Sequence, residues 1–301
     1  MTNLRPHLFL LGANLIYGTN YTIAKIAMPE YIGPFGLVVM RVVVALLLFT
    51  AWDKLTRGKG EKIQREDWPR LIACGLFGVA INQLMFLHGL SQTSEIHAAL
   101  IMITAPILVL MIARIILKEP ITSRKAMGIV LGGAGVSWLI VQGGVSSRSA
   151  SVIGDVFILI NAASYGLYLV LVKPLMARYH PITVIKWVFF FGMFVVVPVG
   201  TPQLLQVEFA QLPGFAILSI AFVVVFTTFL AYLLNTMAIK DVSPSVVSTW
   251  IYTQPLIASL IAIGTGKDVL SLPMLVSGAL IVAGVALVSY SPAPKAEGVS
   301  N

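Results

Sequence analysis

A polytopic α-helical membrane protein is the fold class this sequence predicts. Three observations predict it: an apolar excess, ten runs of bilayer-crossing length, and one unusual segment that occurs twice. Hydrophobic residues make up 58% of the 301 residues and charged residues 11%, with a mean hydropathy of +0.93. A soluble domain is roughly 45–50% apolar and about 25% charged, so this chain lacks the polar surface to cover a water-soluble globule. A bilayer core of about 30 Å takes about 20 apolar residues per helix. Runs of that order fall at about 7–28, 34–52, 70–90, 95–117, 125–142, 152–173, 182–200, 214–237, 244–264 and 271–290. They are too long and too continuously apolar for barrel strands.

Taken in order, the first run carries Asn14, Tyr17, Asn20, Tyr21 and Lys25. A cleaved signal would need a shorter apolar region and a small-residue cleavage site, so the helix is expected to be retained. Pro34 opens the second run, which holds Arg41; residues 53–69 (DKLTRGKGEKIQREDWP) then form a hydrophilic loop. The third run contains Cys74, the single cysteine, which excludes an internal disulfide or a cysteine metal site and reads as a small packed residue. Pro106 interrupts the fourth run, and Gly128 and Gly132 in the fifth form a GxxxG suited to close helix packing. Asn161, Tyr165 and Tyr168 mark the sixth, and Pro181 with Lys186 the seventh. The ninth places Thr249, Trp250, Tyr252, Thr253 and Gln254 just before Pro255.

Positive charge orients these runs. With a cytoplasmic N-terminus, 15 of the 20 Lys and Arg fall on the cytoplasmic side, six of them around the 53–70 loop. Only Lys25, Arg148 and Lys267 fall opposite. This predicts both termini inside, in a bacterial-type inner membrane. The net charge of +8 is then an orienting and lipid-facing feature, so the bilayer is the expected partner and nucleic acid is not.

The repeated segments are ALIMITAPILVLMIARIILKE at 99–119 and STWIYTQPLIASLIAIGTGKD at 248–268. A shift of 149 aligns Pro106 with Pro255, Lys118 with Lys267 and Glu119 with Asp268; a shift of 148 aligns Tyr17-Gly18 with Tyr165-Gly166 and Lys25 with Lys173. The chain therefore reads as two copies, 1–145 and 146–290, with a cytoplasmic tail at 291–301. Each copy has five helices. Because five is odd, the second enters the membrane from the opposite side, giving an inverted-topology repeat of the kind that supports alternating access.

YGTNYTIAK and YGLYLVLVK in the first helix of each half, AP or QP midway along the fourth, and KEPITSRKAMGIVLGGAGV closing the first half together resemble the drug/metabolite transporter superfamily, specifically its EamA-type exporters. The resemblance covers almost the entire chain. It implies a ten-helix exporter of small metabolites. Tyr-Gly stands where the family usually has Trp-Gly, and Glu95 and His97 replace its small residues early in the fourth helix.

Polar groups deep in a spanning helix are costly, which makes each a candidate for function. At helical period Asn14, Tyr17 and Tyr21 share one face, and Asn161, Tyr165 and Tyr168 share another. Two facing stripes would line a cavity for an amphipathic solute; the other reading is interhelical hydrogen bonding. Trp250, Tyr252 and Gln254 join the substrate-binding candidates. Arg41 is suited to pairing a substrate carboxylate or to snorkelling, and Lys186 to snorkelling. Pro106 and Pro255 are placed to act as hinges or gates, or as plain packing kinks. His88, Glu95 and His97 are coupling candidates near the outer end of helices three and four, where a solvated mouth is the other reading.

HExxH, CxxC and GxSxG are all absent, and the glycines of 128–135 follow no strand, so no enzyme, metal or cofactor is expected. The expected activity is export of small amphipathic metabolites, amino acids or related compounds, by alternating access. The alternatives are an exchanger of nucleotide sugars or phosphorylated metabolites, which needs more cations in the cavity, and a channel-like facilitator.

Overall fold

A computed structural model describes residues 4–57, 61–93, 95–142, 151–264 and 272–290. Lys267, Asp268, Arg148 and the tail 291–301 lie outside them, as do the side chains of Glu95 and His97. The described chain is helical: α1 (Leu4–Ala27), α2 (Pro34–Arg57), α3 (Arg65–Gln92), α4 (Glu95–Met102), α5 (Ala105–Ile116), α6 (Ser123–Gln142), α7 (Val152–Arg178), α8 (Pro181–Leu204), α9 (Gly214–Asp241), α10 (Pro244–Thr249), α11 (Thr253–Gly264) and α12 (Leu272–Ser289). At 1.5 Å per residue, a 24-residue helix such as α2 extends about 36 Å, more than a bilayer core. Seven segments among the described residues are long and apolar enough to cross a membrane.

Burial runs opposite to that of a water-soluble protein. Leu4, Leu8, Leu11 and Leu15 are exposed at helical spacing along α1, as are Met127 and Val130 on α6 and Leu275, Val276 and Val282 on α12. Asn14, Asn20, Arg41, Asn82, Asn161, Asn235 and Gln254 are buried. Exposed apolar stripes around buried amides are stable only with lipid outside. The chain is a multi-pass helical membrane protein.

Helix starts follow local chemistry. Pro34, Pro181 and Pro244 occupy first helical positions, where the missing N–H costs nothing. Ser151 Oγ accepts from Gly154 N (3.3 Å) and Ser243 Oγ from Val246 N (3.4 Å), capping α7 and α10. Two lysines close helix ends: Lys25 Nζ donates to Thr93 O (2.7 Å) beyond α3, and Lys173 Nζ to Ile239 O and Val242 O (both 2.8 Å) at the end of α9. A cation on terminal carbonyls satisfies orphan acceptors and opposes the helix dipole.

The breaks between α4 and α5 and between α10 and α11 share one construction. Thr104 Oγ1 donates back to Ile101 O (2.7 Å), and Thr253 Oγ1 to Trp250 O (2.7 Å), each within three residues of the proline. A hydroxyl bonded to its own backbone competes with the helical ladder, and proline removes the next donor. Residues 250–252 accordingly wind as a 3₁₀ turn. Tyr252 Oη donates to Ile103 O (3.1 Å), so one break rests on the other.

Helices pack in matched pairs: α2 on α8, α6 on α12, α3 on α7 and α1 on α9, with α5 against α7 and α11 against α1. Between α6 and α12 the backbones touch. A Cβ on Gly284 would stand 2.6 Å from both Gly128 O and Gly132 N, so the GxxxG at 128–132 is a helix contact.

At the loop end of α2 a polar network ties residues 61–67 to the α7–α8 turn. Arg57 Nη1 donates to Thr183 Oγ1 (2.6 Å), His180 N to Glu61 Oε2 (2.9 Å), Tyr179 Oη to Asp67 Oδ2 (2.7 Å) and Arg178 Nη1 to both Asp67 oxygens (3.0 Å). Lys186, expected to snorkel, instead pairs with Asp53, whose side chain is 4% exposed. The carboxylate one helix away holds the ammonium inside the network, where snorkelling would have taken it to the interface.

Candidate functional site

Two helices carry a wide turn where the bundle needs free carbonyls. Residues Leu76–Ile81 of α3 and Phe222–Leu230 of α9 wind with the looser π pitch, a feature that commonly marks functional sites. In α3 the released acceptors are used by side chains from across the bundle: Ser164 Oγ donates to Phe77 O (2.5 Å), Tyr232 Oη to Gly78 O (3.3 Å) and Asn161 Nδ2 to Asn82 O (2.9 Å). In α9, Thr228 Oγ1 donates to Val223 O (2.8 Å) and accepts from Arg41 Nε (2.8 Å).

These turns border a cavity with about 630 Å³ of empty space, its open mouth included. Asn14, Tyr17, Asn20 and Tyr21 line it from α1, Arg41 from α2, Asn82 and Phe86 from α3, Asn161 and Tyr165 from α7, Thr227, Tyr232 and Asn235 from α9, and Gln254 from α11. Met102 and Ile251 complete the wall. Amides fix the rings and one another: Asn235 Nδ2 donates to Tyr165 Oη (2.9 Å), Gln254 Nε2 to Asn14 Oδ1 (2.8 Å), and Tyr232 Oη shares its one proton between Asn82 Oδ1 (3.2 Å) and Gly78 O. Tyr17 meets Tyr232 edge-on, with ring centroids 6.5 Å apart, and Tyr21 meets Phe86 at 5.5 Å.

The structure thus brings together Asn14, Tyr17, Tyr21, Arg41, Asn161, Tyr165 and Gln254. It separates three residues predicted with them. Tyr168 packs against α3, where a Cβ on Gly78 would come within 2.3 Å of its ring; a glycine there admits the aromatic ring into the helix contact. Trp250 packs on His7, 6.0 Å between centroids. Tyr252 and Pro255 border a smaller neighbouring space of about 210 Å³, which Tyr21 and Gln254 share with the main cavity. Pro106 is buried at the start of α5, beside the helix break. His88 sits between Phe35 and Phe157, both ring centroids at 4.8 Å, and bonds Gln92 (2.9 Å). It is clamped by aromatic rings and does not line the cavity.

Asn82, Thr227, Tyr232 and Asn235 are cavity residues that the sequence pattern missed. Their signal was present: each is a polar side chain within a spanning run. Asn82 and Tyr232 are 150 positions apart, near the repeat spacing, and they bond each other.

The sequence signature of the EamA-like transporter family matches this chain twice, over residues 4–141 and 152–290. The chain belongs to the EamA-like transporter family. As a member of that family it is a transporter and not an enzyme. It is 26% identical over 287 residues to the uncharacterized transporter YyaM of Bacillus subtilis (strain 168), covering 95% of this chain and 93% of that protein. Across 223 residues it is 25% identical to the probable terminal-alkyne amino-acid exporter of Streptantibioticus cattleyicolor, covering 74% of this chain and 73% of that one. A crystal structure with 20% sequence identity superposes on this transporter with a TM-score of 0.74, over 94% of this chain and 96% of that chain; that likeness concerns the fold.

Proposed function

We propose that this transporter exports small amphipathic metabolites, amino acids or related compounds, across a bacterial-type inner membrane by alternating access. Ten membrane helices form two inverted five-helix repeats, 1–145 and 146–290, with both termini cytoplasmic. The observation that carries this reading is the polar cavity midway along α1, α3, α7 and α9, lined by both halves of the chain. Supporting it, the lysine clasps of Lys25 and Lys173, the π turns of α3 and α9, and the Thr104 and Thr253 breaks recur at near-equal sequence spacing. Helix pairing also exchanges the halves: α3 packs on α7 as α9 packs on α1. Such pseudo-symmetry supports a central site reached from either face in turn. The name of the Streptantibioticus cattleyicolor relative supports an amino-acid-like solute. The nucleotide-sugar alternative needs several cations converging on the cavity; Arg41 lines it, while Lys186 is engaged by Asp53.

Counterflow in proteoliposomes loaded with a mixed pool of amino acids, aromatic amines and nucleotide sugars tests the proposal. The expected result is saturable exchange of one amphipathic class, lost in folded Tyr17→Ala or Tyr165→Ala protein. Flux that neither saturates nor shows counterflow would replace the carrier with a channel.

A further inference from the structure

Arg41 is 3% exposed, yet among the described residues no carboxylate lies within ion-pair distance of it. Its Nε donates to Thr228 Oγ1 (2.8 Å), while its buried Nη1 has no protein acceptor. The titratable groups that act on it are the phenols Tyr232 and Tyr17. The described cavity lining contains no Asp or Glu. A buried guanidinium normally needs an anion, because desolvating a lone charge is expensive. Here the described residues supply hydroxyls and rings but no negative charge.

We infer that the cavity takes a small monoanionic carboxylate whose carboxyl group pairs with Arg41, in preference to solutes of zero or positive net charge. The inference rests on the cavity being the transport site. The planar guanidinium, anchored through Nε, leaves Nη1 for a carboxylate oxygen, a planar fit that an ammonium would not match. Asn20 Oδ1 and Asn161 Oδ1 are buried acceptors without a protein donor, so an N–H on the same solute finds neutral partners. A full ammonium finds neither a carboxylate nor relief from the Arg41 charge. The favoured chemistry is an N-capped amino acid or another monocarboxylate with an amide N–H, ahead of a zwitterionic amino acid.

A charge ladder on one skeleton tests this with the full-length protein: N-acetylphenylalanine (anion), phenylalanine (zwitterion), N-acetylphenylalaninamide (neutral) and phenylalaninamide (cation). Ligand-dependent thermal stabilisation is read for each, with a titration of sodium chloride as a separate arm. N-acetylphenylalanine is expected to bind about tenfold more tightly than phenylalanine, because both present the carboxylate but only phenylalanine brings an ammonium against the Arg41 charge. Arg41→Gln, which keeps a donor for Thr228, is expected to abolish that advantage, and Arg41→Lys to retain part of it. The ladder on unaltered protein decides the matter even where a variant fails to fold. Equal or tighter binding of the zwitterion, neutral or cation overturns the inference and leaves the carrier standing. Stabilisation by chloride equal to that by the carboxylate makes the site an inorganic-anion site and also overturns it. Should none of the four bind, while counterflow of the mixed pool is unchanged by Tyr17→Ala, this inference and the placing of transport in the cavity fall together.

Discussion

Lys186 and Asp53 form a largely buried pair where α2 meets α8, with Arg57 Nη1 a further 3.8 Å from Asp53. Removing one partner of such a pair strands the other charge. Lys186→Met is therefore expected to destabilise the protein by about 3 kcal/mol, measured by thermal unfolding in detergent, with most of the loss recovered when Asp53→Asn is added. A second residue-scale effect is acid sensitivity. His180 Nδ1 accepts from Ile182 N (3.3 Å) at the start of α8. Burial, then the neighbouring Arg57 and Lys240, hold the imidazole below its ordinary value of 6.5. A lowered folded value means that the unfolded chain binds the proton more readily. The contribution is thus fully present above pH 6.5 and lost as pH falls through the folded value. Glu61 acts at lower pH: burial alone would raise it, but bonds from His180 N, Thr183 and Arg57 bring it below 4.5, so its contribution fades only beneath that. Melting temperature should rise from about pH 5 to about pH 7 in the unaltered protein. His180→Asn, which keeps a capping oxygen without the titration, should flatten that rise; an unchanged profile would refute the assignment.

Among the helices, α6 and α12 make a close seam, and its closeness comes from absent side chains. Gly284→Ala would drive a methyl against backbone atoms of α6, at 2.6 Å from Gly128 O, and no flexible side chain can yield there. A loss of about 1–3 kcal/mol is expected from overpacking, with Gly128→Ala non-additive because both insertions separate the same pair. The broken helix at Pro255 should respond differently. Pro255→Ala restores a backbone donor next to the 3₁₀ turn at residues 250–252, favouring a straight helix. Folding is expected to survive while counterflow slows; counterflow at the unaltered rate would mean that the break is packing and not a gate.

For the whole molecule, the orientation predicted from charge assigns the Asp67–Arg178–Tyr179 network to the cytoplasmic end and residues such as Phe209 to the outer end. Cys74 is fully buried, which leaves a quiet background for thiol labelling. Arg65→Cys should label only after the membrane is made permeable, and Phe209→Cys should label in intact cells. The reverse pattern would invert the topology and with it the direction of transport.

Much of this was legible beforehand because the bilayer is a strict solvent: backbone groups must pair internally and apolar side chains must face outward, so composition and run length alone determine a multi-pass helical protein. The Asn14–Tyr17–Tyr21 stripe was legible for the same reason, since intramembrane polarity is rare enough to be a signal. Which stripes meet was not. Tyr168 continues the periodicity of Asn161 and Tyr165, yet Gly78 opens a slot for its ring on another helix. Lys186 carried the pattern of a snorkelling cation until Asp53, 133 residues away, came within reach. Tyr232 and Asn235 entered the cavity through a π turn that no periodicity announces. Local sequence determined which residues tolerate a membrane and where helices start and break. Only the tertiary structure decided which buried charges found partners, because a counter-ion is a matter of distance across the bundle; on that basis Lys186 pairs with Asp53, while Arg41 meets no carboxylate among the described residues.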